Sequence, residues 1–118
     1  MEDVRKLIEE VLEKGYLMSL ATVDEAGPWV ADVVYTHDDD FSIYWLSQPS
    51  TRHSKAIDKD PRVAGGITLS LNQGEDNISI QFSGTAKKID GDILAIARRS
   101  ARKRKKPEPT KEGEIFRP

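Results

Sequence analysis

Residues 45–64 of the chain read Trp-Leu-Ser-Gln-Pro-Ser-Thr-Arg-His-Ser-Lys-Ala-Ile-Asp-Lys-Asp-Pro-Arg-Val-Ala, and this stretch predicts a strand, a short helix and the start of another strand. The Pro49-Ser50 pair opens a helix that we expect over Thr51–Lys59. The Asp60-Pro61 pair ends this helix, because a residue that precedes proline avoids helical geometry. The stretch is therefore predicted to be a crossover segment.

The residues before this stretch predict a three-stranded meander. Strands are expected at Tyr16–Val23, Pro28–Thr36 and Phe41–Ser47, where residues typical of strands predominate. Turn-forming residues at 24–27 and at 37–40 separate these strands.

Two further strands follow the crossover, at Arg62–Leu71 and from Ile78 to about Ile89. Gly65, Gly66 and Gly84 lie within them and predict bends or bulges of the kind that close a barrel.

A helix is expected at each end of this β-rich region. The first begins at Val4, where apolar residues recur at helical spacing, and stops at Gly15. The last runs from Ile93 to about Lys106 and ends before Pro107. Residues 1–106 are thus expected to form one domain, mainly β with flanking helices (α+β), and residues 107–118 a C-terminal tail.

The composition narrows the class of protein. A chain of 118 residues has room for one core, so any cofactor must share that core or an oligomer interface. The absence of cysteine excludes a disulfide framework, a thiolate nucleophile and a cysteine-ligated metal. With neither a membrane-spanning run nor a secretory signal, a cytoplasmic protein without a membrane partner is expected.

Three segments resemble the FMN-binding split barrel of the pyridoxamine 5′-phosphate oxidase family. They are the hairpin Leu-Ala-Thr-Val-Asp-Glu-Ala-Gly-Pro-Trp-Val-Ala at 20–31, the stretch at 45–64, and Ile-Gln-Phe-Ser-Gly-Thr-Ala at 80–86. The resemblance implies a split β-barrel of five to six antiparallel strands and a homodimer with FMN at the subunit interface. The form Thr-Arg-His-Ser is closest to a branch of the family from which no activity carries over.

The chain departs from the family pattern in ways that bear on function. Thr51-Arg52-His53 stands where the oxidase has Ser-Arg-Lys. The residues with which the oxidase binds the phosphate of its substrate have no counterparts in this chain, so vitamin B6 oxidation is not expected. Ser79 falls where the family often has a flavin-contacting glutamine. Residues 115–118 end the chain where another strand is usual, so the edge of the barrel is either open or covered by a partner subunit.

The turn at residues 50–55 combines cations, hydroxyls and the free amides of a helix N-terminus, which together suit a phosphate. An ordinary helix cap with solvated cations is the alternative. The resemblance assigns the FMN phosphate to Arg52, with help from Thr51, His53 and Lys55.

The resemblance also places the flavin ring along the second strand and just after the third. The residues implied are Asp32, Val33, Val34, Tyr35, Ser47 and Gln48. Read from the sequence alone, Val33, Tyr35, Trp29 and Trp45 are plain core or interface residues, and the three aromatic ones are candidates for apolar surface that a partner covers.

Two charged clusters have simpler readings than binding sites. The run at 37–40 could be imagined as a metal site, but consecutive residues seldom converge on one ion and such turns cap hairpins, so no metal is expected. The basic run at 98–106 is interpreted as a solvated helix face, with RNA or an anionic partner as alternatives. No aromatic residue is interleaved with it, so no nucleic acid partner is expected.

The function expected from these features is that of an FMN-dependent oxidoreductase that reduces a small acceptor with a nicotinamide donor. The sequence assigns no catalytic residue. The alternative is a non-enzymatic module of the same fold that holds flavin, deazaflavin or haem, with His37 and His53 as candidate haem ligands.

Overall fold

The computed structural model describes residues 3–69, 73–89 and 94–103. Its helices are α1 (Val4–Lys14), α2 (Arg52–Lys59) and α3 (Leu94–Lys103), and its strands are β1 (Leu17–Asp24), β2 (Gly27–His37), β3 (Ile43–Trp45), β4 (Arg62–Leu69) and β5 (Ile78–Thr85). None of the helices in these ranges has the length and apolar character that crossing a membrane requires. The tail predicted at 107–118, and the end of the last predicted helix at 104–106, lie outside the described residues.

The five strands of the described residues form one antiparallel sheet in the order β3-β2-β1-β4-β5. The meander β1-β2-β3 is as expected, and α2 is the crossover that returns the chain to pair β4 with β1. The sheet curls into a half-barrel with helices beside it. The predicted α+β split-barrel class is confirmed.

One face of the sheet carries the core. Met18 and Leu20 on β1 are fully buried, and they cluster with Ile67 on β4 and with Val11 and Leu12 of α1. Side chains of a strand alternate between the two faces, so the intervening residues point the other way. We call this second side the open face; its strand residues include Leu17, which is 50% exposed, and Val30, which is 61% exposed.

Tyr35 belongs to the core rather than to a subunit interface. Its side chain is fully buried, and its hydroxyl lies 2.8 Å from the carbonyl oxygen of Leu12 and 3.1 Å from that of Val11. The expectation that a partner covers Tyr35 is therefore wrong. α1 ends at its C-cap Gly15 as predicted, where the backbone becomes extended. A Cβ at this position would collide with the Tyr35 hydroxyl oxygen, so the close approach of Tyr35 requires a glycine here.

The observed strands differ from the predicted ones in the length of β3 and in the pairing of β4 with β5. β3 has only three residues, since Asp38 organises the turn before it: its Oδ1 accepts hydrogen bonds from the amides of Asp40 and Ser42 at 3.0 and 2.9 Å. The bulges predicted at glycines are wrong, because pairing between β4 and β5 is continuous from Arg62↔Thr85 to Leu69↔Ile78.

Helix α3 packs against the end of α1 and the end of β2. Arg99 donates a hydrogen bond to the His37 carbonyl oxygen at 2.7 Å. The ammonium of Lys103 donates to the Leu12 carbonyl oxygen at 3.0 Å and lies 3.6 Å from the centre of the Tyr35 ring. The reading of the basic run as a solvated face is therefore wrong for Lys103, which is partly buried, whereas Arg99 is exposed as expected.

Candidate functional site

The N-terminus of α2 is built around Thr51. This residue is the N-cap: its hydroxyl oxygen accepts a hydrogen bond from the Ser54 amide at 3.3 Å. The same oxygen lies 3.0 Å from the Gln48 carbonyl oxygen and 2.8 Å from the Ser54 hydroxyl. The turn is thus a well-formed helix cap, and its Thr51 hydroxyl is committed to that cap.

His53 turns inward from the same helix. It is buried, and its Nε2 atom lies 2.8 Å from the Ser47 hydroxyl and 3.3 Å from the Thr51 hydroxyl. Burial lowers the pKa of His53, so the ring is neutral near pH 7. His53 therefore fixes the segment after β3 against α2, and it supplies no positive charge.

Arg52 points the other way and meets the tip of the β1–β2 hairpin. Its Nε atom donates to Asp24 Oδ2 at 2.7 Å and its Nη2 atom to Asp24 Oδ1 at 3.0 Å. Its guanidinium also stacks 4.3 Å from the centre of the Trp29 ring. The hydrogen bond from Arg52 holds the pKa of Asp24 below its usual value, so the carboxylate stays charged.

Asp24 is a site residue that sequence reasoning missed. It stood out only as the first residue of a predicted turn, and no spacing links it to a residue 28 positions later. A carboxylate and a phosphate present oxygen pairs of similar geometry to a guanidinium. The Asp24 carboxylate thus makes the bidentate contact with Arg52 that a phosphate would make.

A groove of about 820 Å³ lies beside this ion pair, between the hairpin tip, α2 and the start of β4. Arg52 and Lys55 line it, together with Lys59 and Arg62, whereas Thr51 and His53 do not. Arg62 makes a second ion pair in this groove, with Asp60, and the hydrogen bond between them lowers the pKa of Asp60 to about 2. The structure therefore divides the predicted phosphate residues into two that face the groove and two that support the cap.

The residues of β2 that are predicted to line a flavin ring fall into two groups, because successive side chains of the strand point to opposite faces of the sheet. Asp32 is exposed on the open face, where its Oδ1 accepts a hydrogen bond from the Ser19 hydroxyl at 2.8 Å, and Val34 shares that face. Val33 and Tyr35 pack into the core. A ring on the open face would meet the side chains of Asp32 and Val34, but only the backbone of Val33 and Tyr35.

Ser47 and Gln48 follow β3 and adjoin the cap of α2. The Ser47 hydroxyl bonds to His53, and the Gln48 carbonyl oxygen lies beside Thr51, while the Gln48 side chain is exposed. Gln48 is therefore the one of the pair whose side chain is open to solvent.

The acidic turn at 37–40 is held by hydrogen bonds to Asp38, and His37 lies at its start. Asp38 also accepts a hydrogen bond from the Tyr44 hydroxyl at 2.7 Å, which lowers the pKa of Asp38. Burial lowers the pKa of His37, whose Nε2 lies 3.6 Å from Glu13 Oε2. Across residues 3–69, 73–89 and 94–103, no three His, Cys, Asp or Glu residues are grouped to hold a metal ion.

The family model for pyridoxamine 5′-phosphate oxidase matches residues 4–114, and the chain belongs to that family. A UPF0306 protein of Photorhabdus laumondii is 26% identical over 94 residues, which cover 79% of this chain and 66% of that protein. A UPF0306 protein of Klebsiella pneumoniae is 29% identical over 108 residues, which cover 86% of this chain and 70% of that protein. The chain thus spans about two thirds of the length of these relatives.

Solved structures share the fold at low sequence identity. HutZ, the haem storage protein from Vibrio cholerae, has a TM-score of 0.71 and 17% identity over 86% of this chain and 75% of that one. An F420 reductase has a TM-score of 0.64 and 19% identity over 86% of this chain and 82% of its own. An FAD-binding protein from Mesorhizobium loti has a TM-score of 0.60 and 22% identity over 70% and 58% of the two chains. At such identities the likeness shows the fold alone.

Proposed function

We propose that the chain binds FMN, with the cofactor phosphate on Arg52 and the ring along the open face of β2. Arg52 stacks on Trp29, which points to the covered side of the sheet like Val33, so the cofactor passes around the edge of β2. Within the described residues β3 pairs only with residues 35–37, and it does not cover that edge nearer the hairpin. The observation that carries the proposal is the Arg52–Asp24 ion pair, in which a guanidinium at a helix N-terminus already holds two oxygens of an anion. Lys55 adds positive charge to the same groove. The amides of the helix N-terminus favour an anion there.

The reaction we propose is reduction of a small acceptor by a nicotinamide donor. Bound flavin would supply the redox chemistry, since it can take up a hydride and pass its electrons on. The protein's part is to hold the phosphate through Arg52 and to shape a slot against β2. No described residue is assigned to proton transfer.

A homodimer is part of the proposal. The half-barrel has one covered face, and the open face exposes Leu17 and Val30, at 50% and 61%, beside the polar pair Ser19 and Asp32. A planar cofactor on this surface needs a second wall to exclude water. A second copy of the chain supplies that wall when the two open faces meet.

The alternative is a non-enzymatic module for haem or deazaflavin, since the structurally similar proteins include a haem storage protein and an F420 reductase. Ligation of haem by His53 would require breaking the bond to Ser47, since Nε2 already lies 2.8 Å from that hydroxyl. His37 is largely covered, with 18% of its side chain exposed. The described residues therefore favour a flavin over haem.

The test compares two variants that act on the same ion pair in opposite directions. Arg52→Ala should weaken FMN binding roughly ten- to a hundredfold, because it removes charge-assisted bonds to the phosphate. Asp24→Asn should strengthen FMN binding, since the guanidinium no longer has to release a carboxylate. Fluorescence titration of apoprotein with FMN measures both changes.

Riboflavin and Arg62→Ala are the controls. Riboflavin lacks the phosphate, so its affinity should be weak and nearly the same in all three proteins. Arg62 forms a comparable ion pair in the same groove, so its removal should have a much smaller effect than removal of Arg52. The assignment fails if both Asp24→Asn and Arg52→Ala weaken FMN and riboflavin equally, since the pair would then only join the hairpin to α2.

A further inference from the structure

A second cleft lies at the far end of β2 from the Arg52 groove. It has a volume of about 570 Å³ and is lined by the end of α1, the residues between α1 and β1, the end of β2 with the turn that follows it, and α3. Eleven residues of strand span about 35 Å, so the two depressions are well separated. They have no lining residue in common within the described chain. The volume is typical of small-molecule sites.

Three cations of α3 line the cleft, Arg99, Arg102 and Lys103, together with the carboxylates of Glu13 and Asp39. Lys14 also lines it, but its ammonium forms an ion pair with Glu10 at 2.8 Å. Arg99 and Lys103 are fixed by hydrogen bonds to carbonyl oxygens, at 2.7 and 3.0 Å. These bonds orient both cations. The Leu12 carbonyl oxygen lies at the negative end of the α1 dipole and offsets part of the Lys103 charge, whereas the His37 carbonyl oxygen lies at the end of a strand.

Burial of Lys103 lowers the pKa of this lysine to about 8, although Glu13 acts in the opposite direction, so burial destabilises its charged form. A cation that is poorly solvated in this manner is stabilised by an anion that enters the cleft.

An aromatic side chain completes the cleft. Tyr16 lies between α1 and β1, lines the cleft and is 47% exposed. Its phenol ring offers a flat surface on which a heterocyclic base can stack beside the cations. The sequence shows no aromatic residue within the basic run, and it is the fold that brings Tyr16 beside α3.

We propose that this cleft binds a nucleotide, with its phosphate on Arg99 and Lys103 and its base against Tyr16. The proposal does not depend on where FMN binds, because the two depressions are separate. It assigns to α3 a binding role in addition to its packing against α1.

The experiment is calorimetric titration of the full chain with adenosine 5′-monophosphate, both without and with saturating FMN. The same affinity is expected in both cases, and adenosine should bind at least about tenfold more weakly because it lacks the phosphate. Tyr16→Ser should weaken binding about five- to a hundredfold, whereas Tyr16→Phe should retain most of it. Arg99→Gln should weaken binding about tenfold.

Lys55→Gln is the matched control, since it removes a cation from the other groove. Arg99 also donates a hydrogen bond to the His37 carbonyl oxygen, so Arg99→Gln can destabilise the fold. If that variant unfolds, the comparison of Tyr16→Ser with Tyr16→Phe still decides the test. The proposal is overturned if the nucleotide does not bind, if adenosine binds equally well, or if Tyr16→Ser has no effect. It is also overturned if Lys55→Gln or FMN abolishes binding, because the nucleotide would then occupy the Arg52 groove.

Discussion

At the scale of single residues, two glycines of the sheet stand in contrasting surroundings. A Cβ at Gly65 would lie 2.4 Å from Phe82 Cζ and 2.9 Å from the Ser19 carbonyl oxygen. A Cβ at Gly84 would have no atom within 4 Å. Gly65 therefore lets the Phe82 ring lie against the backbone of β4, and this contact accounts for a glycine at which the sequence had suggested a bend or a bulge.

Gly65→Ala should lower the free energy of unfolding by about 1–3 kcal/mol, because the added methyl group forces Phe82 and the backbone apart. Gly84→Ala should change it by less than about 1 kcal/mol, since the space is open and alanine restricts the unfolded chain. Urea unfolding of both variants checks this pair. Equal losses would show that backbone conformation, rather than the contact with Phe82, requires the glycine at 65.

At the scale of elements, the last turn of α1 is held by side chains from elsewhere in the chain. Carbonyl groups at the end of a helix have no partner within it. Tyr35 of β2 reaches those of Val11 and Leu12, and Lys103 of α3 reaches that of Leu12. These contacts attach both α1 and α3 to the sheet.

Tyr35→Phe should therefore lower the free energy of unfolding by about 0.5–1.5 kcal/mol, because it removes the buried hydroxyl's hydrogen bonds while the ring still fills its space. The Val11 and Leu12 carbonyl oxygens each keep one donor, from the Gly15 amide and from Lys103. Urea unfolding measures the loss, and Tyr44→Phe, which affects the surface turn at Asp38, should cost less. A Tyr35→Phe protein as stable as the wild type would mean that the donors from Gly15 and Lys103 alone satisfy these carbonyl oxygens.

Tyr35 and Lys103 should change the free energy of unfolding in opposite directions as the pH rises. Burial raises the pKa of Tyr35 to about 12, so its contribution to stability is lost as pH rises from its ordinary value of 10.0 towards 12. Burial lowers the pKa of Lys103 from 10.5 to about 8, so the unfolded chain holds the proton more strongly and stability rises across that interval.

Unfolding free energies measured from pH 8 to 12 should thus increase at first and then decrease. Lys103→Met should remove the increase, and Tyr35→Phe should reduce the decrease. A wild-type profile that Lys103→Met leaves unchanged would show that the ammonium is solvated in solution.

At the scale of the whole molecule, the sheet has a covered and an open face, and we predict that the open face joins two copies. Val30→Glu should convert the dimer to a monomer and weaken FMN binding, because it places a charge in the proposed interface. Val4→Glu is the matched control, since Val4 is 67% exposed on α1 and lies away from that face. Sedimentation velocity at micromolar concentration gives the oligomeric state. A wild-type monomer that retains flavin would contradict the prediction.

The sequence by itself determined the order of the elements, the beginning of α2 to within one residue, the end of α1 at Gly15 and the family. These features depend on periodicity, caps and short motifs, which are properties of neighbouring residues. The alternation of β2 was also present in the sequence, but which of its faces meets α1 was not.

Only the tertiary structure decided which residues make up each site. Asp24 meets Arg52 across 28 positions, and Lys103 meets Leu12 across 91, and neither pairing leaves a spacing that a sequence pattern can reveal. Tyr35, an expected interface residue, became a core residue because the sheet curls around α1. Contacts of this kind depend on how the elements pack, since the side chains that satisfy a buried carbonyl or a charge come from distant parts of the chain.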